Sequence, residues 1–143
     1  SALMDTEMVM AIPSGYEPKQ EIWDRARAIN PNARLTLGHS PREAVANADA
    51  VYTDVWASMG QEAEREQRLR AFEGFSVDDR LMGHAPAAIF LHCLPAHRGQ
   101  EVTNEVIDGP ASRVWPQAAN RLHTETALLY ALLTGDFDGE RLA

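Results

Sequence analysis

Hydrophobic residues along this chain come in two alternating patterns: short unbroken apolar runs, and longer stretches whose apolar positions recur every three or four residues. The first pattern is that of buried strands and the second that of helices with one face on a core. Met8–Ile12 reads as a strand halted by Pro13-Ser14-Gly15, and a helix follows from Pro18 to Ile29, with Ile22, Ala26 and Ile29 on one face and Asn30-Pro31 ending it. Arg34–Leu37 is a short strand. Ser40-Pro41-Arg42-Glu43 then opens a helix through Ala48, combining a capping serine, a proline at the first helical position and a glutamate placed to reach back. The strand Ala50–Thr53 leads to Asp54. The stretch Gln61–Phe72, dense in Glu, Arg and Gln, reads as an exposed helix, and Phe75–His84 as a second short one. After the strand Ala87–Leu91 come a helix Val102–Ile107, closed by Asp108-Gly109-Pro110, and the longest helix, Trp115–Thr134, with a broad apolar surface from Leu122, Ala127, Leu128, Tyr130, Ala131 and Leu132 and a stop at Gly135. This alternation predicts an α/β fold, a parallel sheet of about four to five strands flanked by helices on both faces.

At 143 residues the chain is expected to be a single domain. Its formal charge of -8 repels phosphate backbones and anionic lipid, so neither nucleic acid nor a membrane surface is expected as a partner. Lys19 is the only lysine, which removes Schiff-base chemistry from sites away from the N-terminus. Cys93 is the only cysteine. It can form no internal disulfide and no four-thiolate metal site, and the expected compartment is a reducing cytoplasm. No apolar run reaches the roughly 20 residues needed to span a bilayer.

Candidate chemistry gathers where two strands end. Asp54-Val55-Trp56-Ala57-Ser58-Met59-Gly60 follows one, and His92-Cys93-Leu94-Pro95-Ala96-His97-Arg98-Gly99 follows the other, and the carboxyl ends of parallel strands are where open α/β sheets bind ligands. Asp54 either pairs with a ligand ammonium or caps the next helix. Ser58-Met59-Gly60 offers a hydroxyl, a backbone N–H and a flexible glycine, suited to a carboxylate. Cys93 is either a small buried residue or a site thiol. His92 and His97 lack a carboxylate at a metal-ligand spacing, and nothing marks an oxyanion hole for Cys–His hydrolysis, so no metal is expected. Arg121, in Asn120-Arg121-Leu122-His123, is either a surface arginine or a holder of phosphate or a carbonyl oxygen.

With these three motifs in this order, the chain resembles the C-terminal half of ornithine carbamoyltransferase. The likeness runs from about Met8 to Leu133 and includes Pro13-Ser14-Gly15-Tyr16-Glu17-Pro18 and Asp108-Gly109-Pro110-Ala111-Ser112-Arg113-Val114-Trp115. It implies a Rossmann-like three-layer domain and transfer of the carbamoyl group of carbamoyl phosphate to the δ-amine of L-ornithine, giving citrulline and phosphate with no cofactor. By that resemblance Asp54 receives the α-ammonium, and Ser58 and Met59 bind the carboxylate region. Cys93 and Leu94 line the meeting point of amine and carbamoyl group, with Leu94-Pro95 in cis. His92 orients the carbamoyl oxygen and Arg121 reaches carbamoyl phosphate, so Cys93, His92 and Arg121 are the catalytic candidates. The resemblance also implies a homotrimer, or a multiple of trimers, for the full-length enzyme.

The family's Ser-x-Arg-Thr phosphate loop has no counterpart here, and only Ser1–Met4 precede Asp5-Thr6-Glu7. The expectation is therefore an ornithine-binding domain over 1–143 without its carbamoyl-phosphate domain, shortened at Met4-Asp5 and inactive alone. Competing readings are a carbamoyltransferase for aspartate, putrescine or acetylated ornithine, a noncatalytic amino-acid-binding module, and a receiver-like domain. The last needs an acidic pair after the first strand and a lysine after the last, where this chain has Pro13-Ser14-Gly15 and His92-Cys93.

Overall fold

The structure is a computed structural model that describes residues 1–57 and 64–137. Among the described residues four strands and six α-helices follow one another: β1 (Met8–Ala11), α1 (Gln20–Ile29), β2 (Leu35–Gly38), α2 (Pro41–Val45), β3 (Ala50–Thr53), α3 (Arg65–Ala71), α4 (Asp79–Met82), β4 (Ile89–His92), α5 (Asn104–Ile107) and α6 (Val114–Thr134). The strands pair in parallel, β1 with β2 and β3 with β4, as the α/β expectation requires. The four to five strands expected as one sheet are met at the low end, and hydrogen bonding divides them into two ladders. Strands of four residues form few rungs, and among the described residues no backbone hydrogen bond joins β1 to β3. On its other edge β4 gains an irregular rung: Phe90 N–H donates to Ala111 O at 2.9 Å and Arg113 N–H to Phe90 O at 2.8 Å.

The buried core sits with the second ladder. Val45, Val51, Val77, Ala85, Ala88, Phe90, Val102, Val106, Ile107 and Val114 form it, drawn from α2, β3, β4, α5, the first residue of α6 and the connections between them. α2 lies against β1 and β2, and α6 against β4. Ser40 caps α2 as its sequence predicts, its Oγ accepting from Glu43 N–H at 3.4 Å.

The helix expected over 75–84 is confined to Asp79–Met82. Val77 is spent on a bridge instead, donating its N–H to Glu101 O and accepting from Thr103 N–H, and the Asp78 carboxylate then captures Leu81 N–H at 2.7 Å to start α4. The helix expected over 61–72 is described only from Arg65 to Ala71. Near the N-terminus a 3-10 turn, Ala2–Met4, precedes Asp5, and Asn30 Nδ2 donates to Ala2 O at 3.2 Å, tying the turn to the end of α1. The apolar face expected on α6 exists but is open: Leu122, Leu128, Leu132 and Leu133 are each more than half exposed.

Candidate active site

Two strand ends define the site. The parallel register sets Tyr52 opposite Leu91 and Thr53 opposite His92, so the residues just past it, Asp54 and Cys93, emerge side by side. The Cys93 thiol donates to Asp54 Oδ1 at 2.9 Å, and Val55 N–H donates to the same oxygen at 2.7 Å. Burial, and next the Asp54 carboxylate, push the Cys93 thiol above its ordinary value, so the neutral thiol is favoured. The Tyr52 phenol is raised too, by burial first and then by Cys93. On the far side Gln117 of α6 accepts from His92 N–H at 3.0 Å through Oε1 and donates to Tyr52 Oη at 3.5 Å through Nε2.

Cys93 also opens onto a cleft of about 720 Å³ whose other wall is α6. Leu94, Pro95, Trp115, Arg121 and Glu125 line it with Cys93. The Leu94-Pro95 peptide is cis, and Leu94 has φ 58, a backbone conformation rare outside glycine. Arg121 projects from an exposed turn of α6 and pairs with Glu125, one turn on, at 3.2 Å.

His92 points elsewhere. It is 1% exposed, and its Nδ1 accepts from Leu94 N–H at 2.8 Å, which assigns the ring proton to Nε2. That nitrogen stands 3.3 Å from Oε1 of Glu101, a carboxylate with no exposure at all that also accepts from His97 N–H. The pair is close but not aligned as a hydrogen bond, and Glu101 Oε2 faces His97 Nδ1 at 3.8 Å. His92, expected at the carbamoyl oxygen, is therefore sealed beneath the Cys93-Leu94-Pro95 corner rather than open to the cleft.

Of the residues expected in the site, Asp54, Cys93, Leu94 and Arg121 come together, His92 lies behind them, and Ser58 and Met59 lie outside the described residues. Trp56, which leads into that stretch, stacks on Phe72 with ring centroids 5.7 Å apart, and Phe72 meets Tyr16 and Phe75 edge-on. Beside this cluster is a hollow of about 510 Å³ at Ser14, Gly15, Tyr16 and Glu17, where the Arg68 guanidinium sits 5.2 Å from the Tyr16 ring. Tyr52, Gln117 and Glu101 escaped the sequence reading. Gln117 was signalled by its place one helical turn before Arg121, and Tyr52 by sharing a strand face with Asp54.

A sequence model of the aspartate/ornithine carbamoyltransferase Asp/Orn-binding domain matches residues 1–132. The chain belongs to that family. Ornithine carbamoyltransferase of Methanoculleus marisnigri is 51% identical over 136 residues, covering 94% of this chain and 43% of that protein. Among solved structures, the anabolic ornithine carbamoyltransferase of Campylobacter jejuni superposes with a TM-score of 0.85 at 38% identity, over 92% of this chain and 44% of that one. The Pyrococcus furiosus ornithine carbamoyltransferase gives 0.81 at 48% identity, over 93% and 43%. The chain thus spans less than half the length of these carbamoyltransferases. Among the described residues no helix is long and apolar enough to cross a membrane.

Proposed function

We propose that this chain is the ornithine-binding part of an ornithine carbamoyltransferase, and that the whole enzyme transfers the carbamoyl group of carbamoyl phosphate to the δ-amine of L-ornithine. The amine nitrogen bonds to the carbamoyl carbon, the carbon–oxygen bond to phosphate breaks, and the nitrogen sheds a proton, leaving citrulline and phosphate. Such a reaction asks for positioning and charge stabilisation and needs no cofactor. The observation that carries the reading is the meeting of Asp54 and Cys93 at 2.9 Å on the rim of a cleft that Arg121 also lines. In this reading Asp54 anchors the substrate α-ammonium, with Ser58 and Met59 taking its carboxylate. Cys93 and Leu94 form the corner where the δ-amine meets the carbamoyl carbon. Arg121 draws in carbamoyl phosphate, exchanging Glu125 for the anion. His92 acts indirectly, by holding Leu94 N–H from below.

The same resemblance supports a cytoplasmic homotrimer, or a multiple of trimers, in which the bare leucines of α6 pack against further protein. Light scattering of the full-length enzyme tests the assembly.

Calorimetric titration of the chain with L-ornithine, norvaline, putrescine and L-aspartate tests the acceptor. Ornithine binds best, and Asp54→Asn weakens it by at least about tenfold, the worth of one charge-assisted hydrogen bond. A preference for aspartate, or an Asp54→Asn variant that binds ornithine like the parent, overturns the proposal.

A further inference from the structure

We infer that Gln117 is a positioning residue that ties α6, and with it Arg121, to the ends of β3 and β4. Two hydrogen bonds make the tie: His92 N–H donates to Gln117 Oε1 at 3.0 Å, and Gln117 Nε2 donates to Tyr52 Oη at 3.5 Å. Tyr52 and His92 belong to the last two rungs of the β3–β4 ladder, next to the corner made by Asp54 and Cys93.

The need for the tie begins at the edge of β4. The 111–113 segment pairs with Phe90 there, and at Val114 the chain coils into α6. Two residues beyond Phe90, the acceptor for His92 N–H is accordingly a side chain of that helix rather than the carbonyl of a neighbouring strand. His92 is 1% exposed, and a buried N–H left unpaired is costly. Because an N–H can only donate, the Gln117 oxygen must face it, which turns the amide nitrogen toward Tyr52. The amide thus has one setting that serves both strands.

The consequence falls on α6. Among the described residues this helix is held mainly at its start. Val114, in the first turn, is its buried residue, the leucines from Leu122 onward are exposed, and the hydroxyls of Thr124 and Thr126 bond back to the helix itself. An α-helix advances about 1.5 Å per residue, so Arg121, one turn beyond Gln117, is carried about 6 Å along the axis from the tie. Arg121 and Trp115 line the α6 side of the cleft, and Cys93 and Leu94 line the other. Gln117 therefore sets where the Arg121 guanidinium stands relative to the Asp54–Cys93 corner. The inference rests on the proposed function in one respect: Arg121 draws in carbamoyl phosphate and Asp54 the amino acid, so this spacing is the spacing between two substrates.

Hydrogen exchange at single amides, read by NMR on the 143-residue chain, tests the tie. Gln117→Leu keeps the bulk of the side chain and loses both bonds. Gln117→Glu keeps both, its carboxylate accepting from His92 N–H and from the Tyr52 hydroxyl. Gln117→Leu speeds exchange at His92 N–H by at least about tenfold and leaves Phe90 N–H within about twofold of the parent, while Gln117→Glu holds His92 near the parent rate. An unchanged His92 rate in Gln117→Leu, or an equal acceleration at Phe90, overturns the inference.

Kinetics of the full-length enzyme test the consequence. Gln117→Leu raises KM for carbamoyl phosphate by about tenfold and moves KM for ornithine by less than about twofold. In an Arg121→Ala background the further effect of Gln117→Leu shrinks below about twofold, because the group it positioned is gone. A Gln117→Leu effect as large without Arg121 as with it, or one that falls on ornithine alone, overturns the positioning of Arg121. A parent enzyme that transfers no carbamoyl group strikes the functional reading instead, and the exchange rates then decide the tie by themselves.

Discussion

Replacing Glu101 by alanine tests what holds the Cys93-Leu94-Pro95 corner in place. The Glu101 carboxylate is wholly enclosed and serves two groups at once, accepting from His97 N–H and lying 3.3 Å from His92 Nε2. Truncation leaves His97 N–H without its acceptor and takes from the buried His92 ring the one carboxylate beside it. Leaving a buried donor without its acceptor costs about 1–3 kcal/mol and the emptied side-chain volume adds to it, which puts this case at about 3 kcal/mol. Glu101→Gln keeps the volume and an oxygen for His97 N–H while giving up the charge, so its loss is smaller, about 1–2 kcal/mol. Urea denaturation followed by circular dichroism measures both, with the slope m required to stay constant. The alanine variant melts roughly 10 °C lower, and the order of stability is parent, glutamine, alanine. An alanine variant within about 0.5 kcal/mol of the parent, or a glutamine variant less stable than it, would refute the view that this carboxylate pins the corner.

Two further predictions concern the frame. Phe90 has no exposure and its backbone bonds to the 111–113 segment on one side while pairing with β3 on the other, so Phe90→Ala costs about 3–5 kcal/mol in the same urea assay, and a loss under about 1 kcal/mol would show that the core lies elsewhere. The Arg98 guanidinium holds the Asp108 carboxyl below its ordinary value, so the pair adds stability that is complete above the usual carboxylate range and is lost as pH falls through the lowered native value. Asp108→Asn therefore flattens the acid side of a melting-temperature profile recorded from about pH 2 to 6, and curves that stay parallel would contradict the pairing.

Element identity was readable wherever one local rule acted alone. The β3 segment was legible to the residue because an apolar run ends against a charged Asp54, and α2 because Ser40 and Pro41 mark its start. Reading failed where a distant partner competed. The strand-like bridge from Val77 to Val102 shortens the helix expected there, and that partner is far away in sequence. The open face of α6 illustrates a different limit: periodicity shows that a face is apolar without showing what covers it.

Strand alternation carries the deeper lesson about the site. Along β4 burial alternates, with Phe90 and His92 enclosed and Leu91 between them less so. Side chains two apart share a face, so His92 goes with Phe90 into the core, and Cys93 goes with Leu91 to the opposite side. On β3 the buried Val51 is paired with Phe90, which sends Tyr52 and Asp54 to the side of Leu91 and Cys93. Period two alone thus divides the five polar groups at these strand ends, placing Tyr52, Asp54 and Cys93 together and His92 with Thr53 behind them. The family resemblance had placed His92 and Cys93 together among the catalytic candidates. The pleat separates them, so that the imidazole braces the corner from the core side while the thiol and the carboxylate stand together on the opposite side.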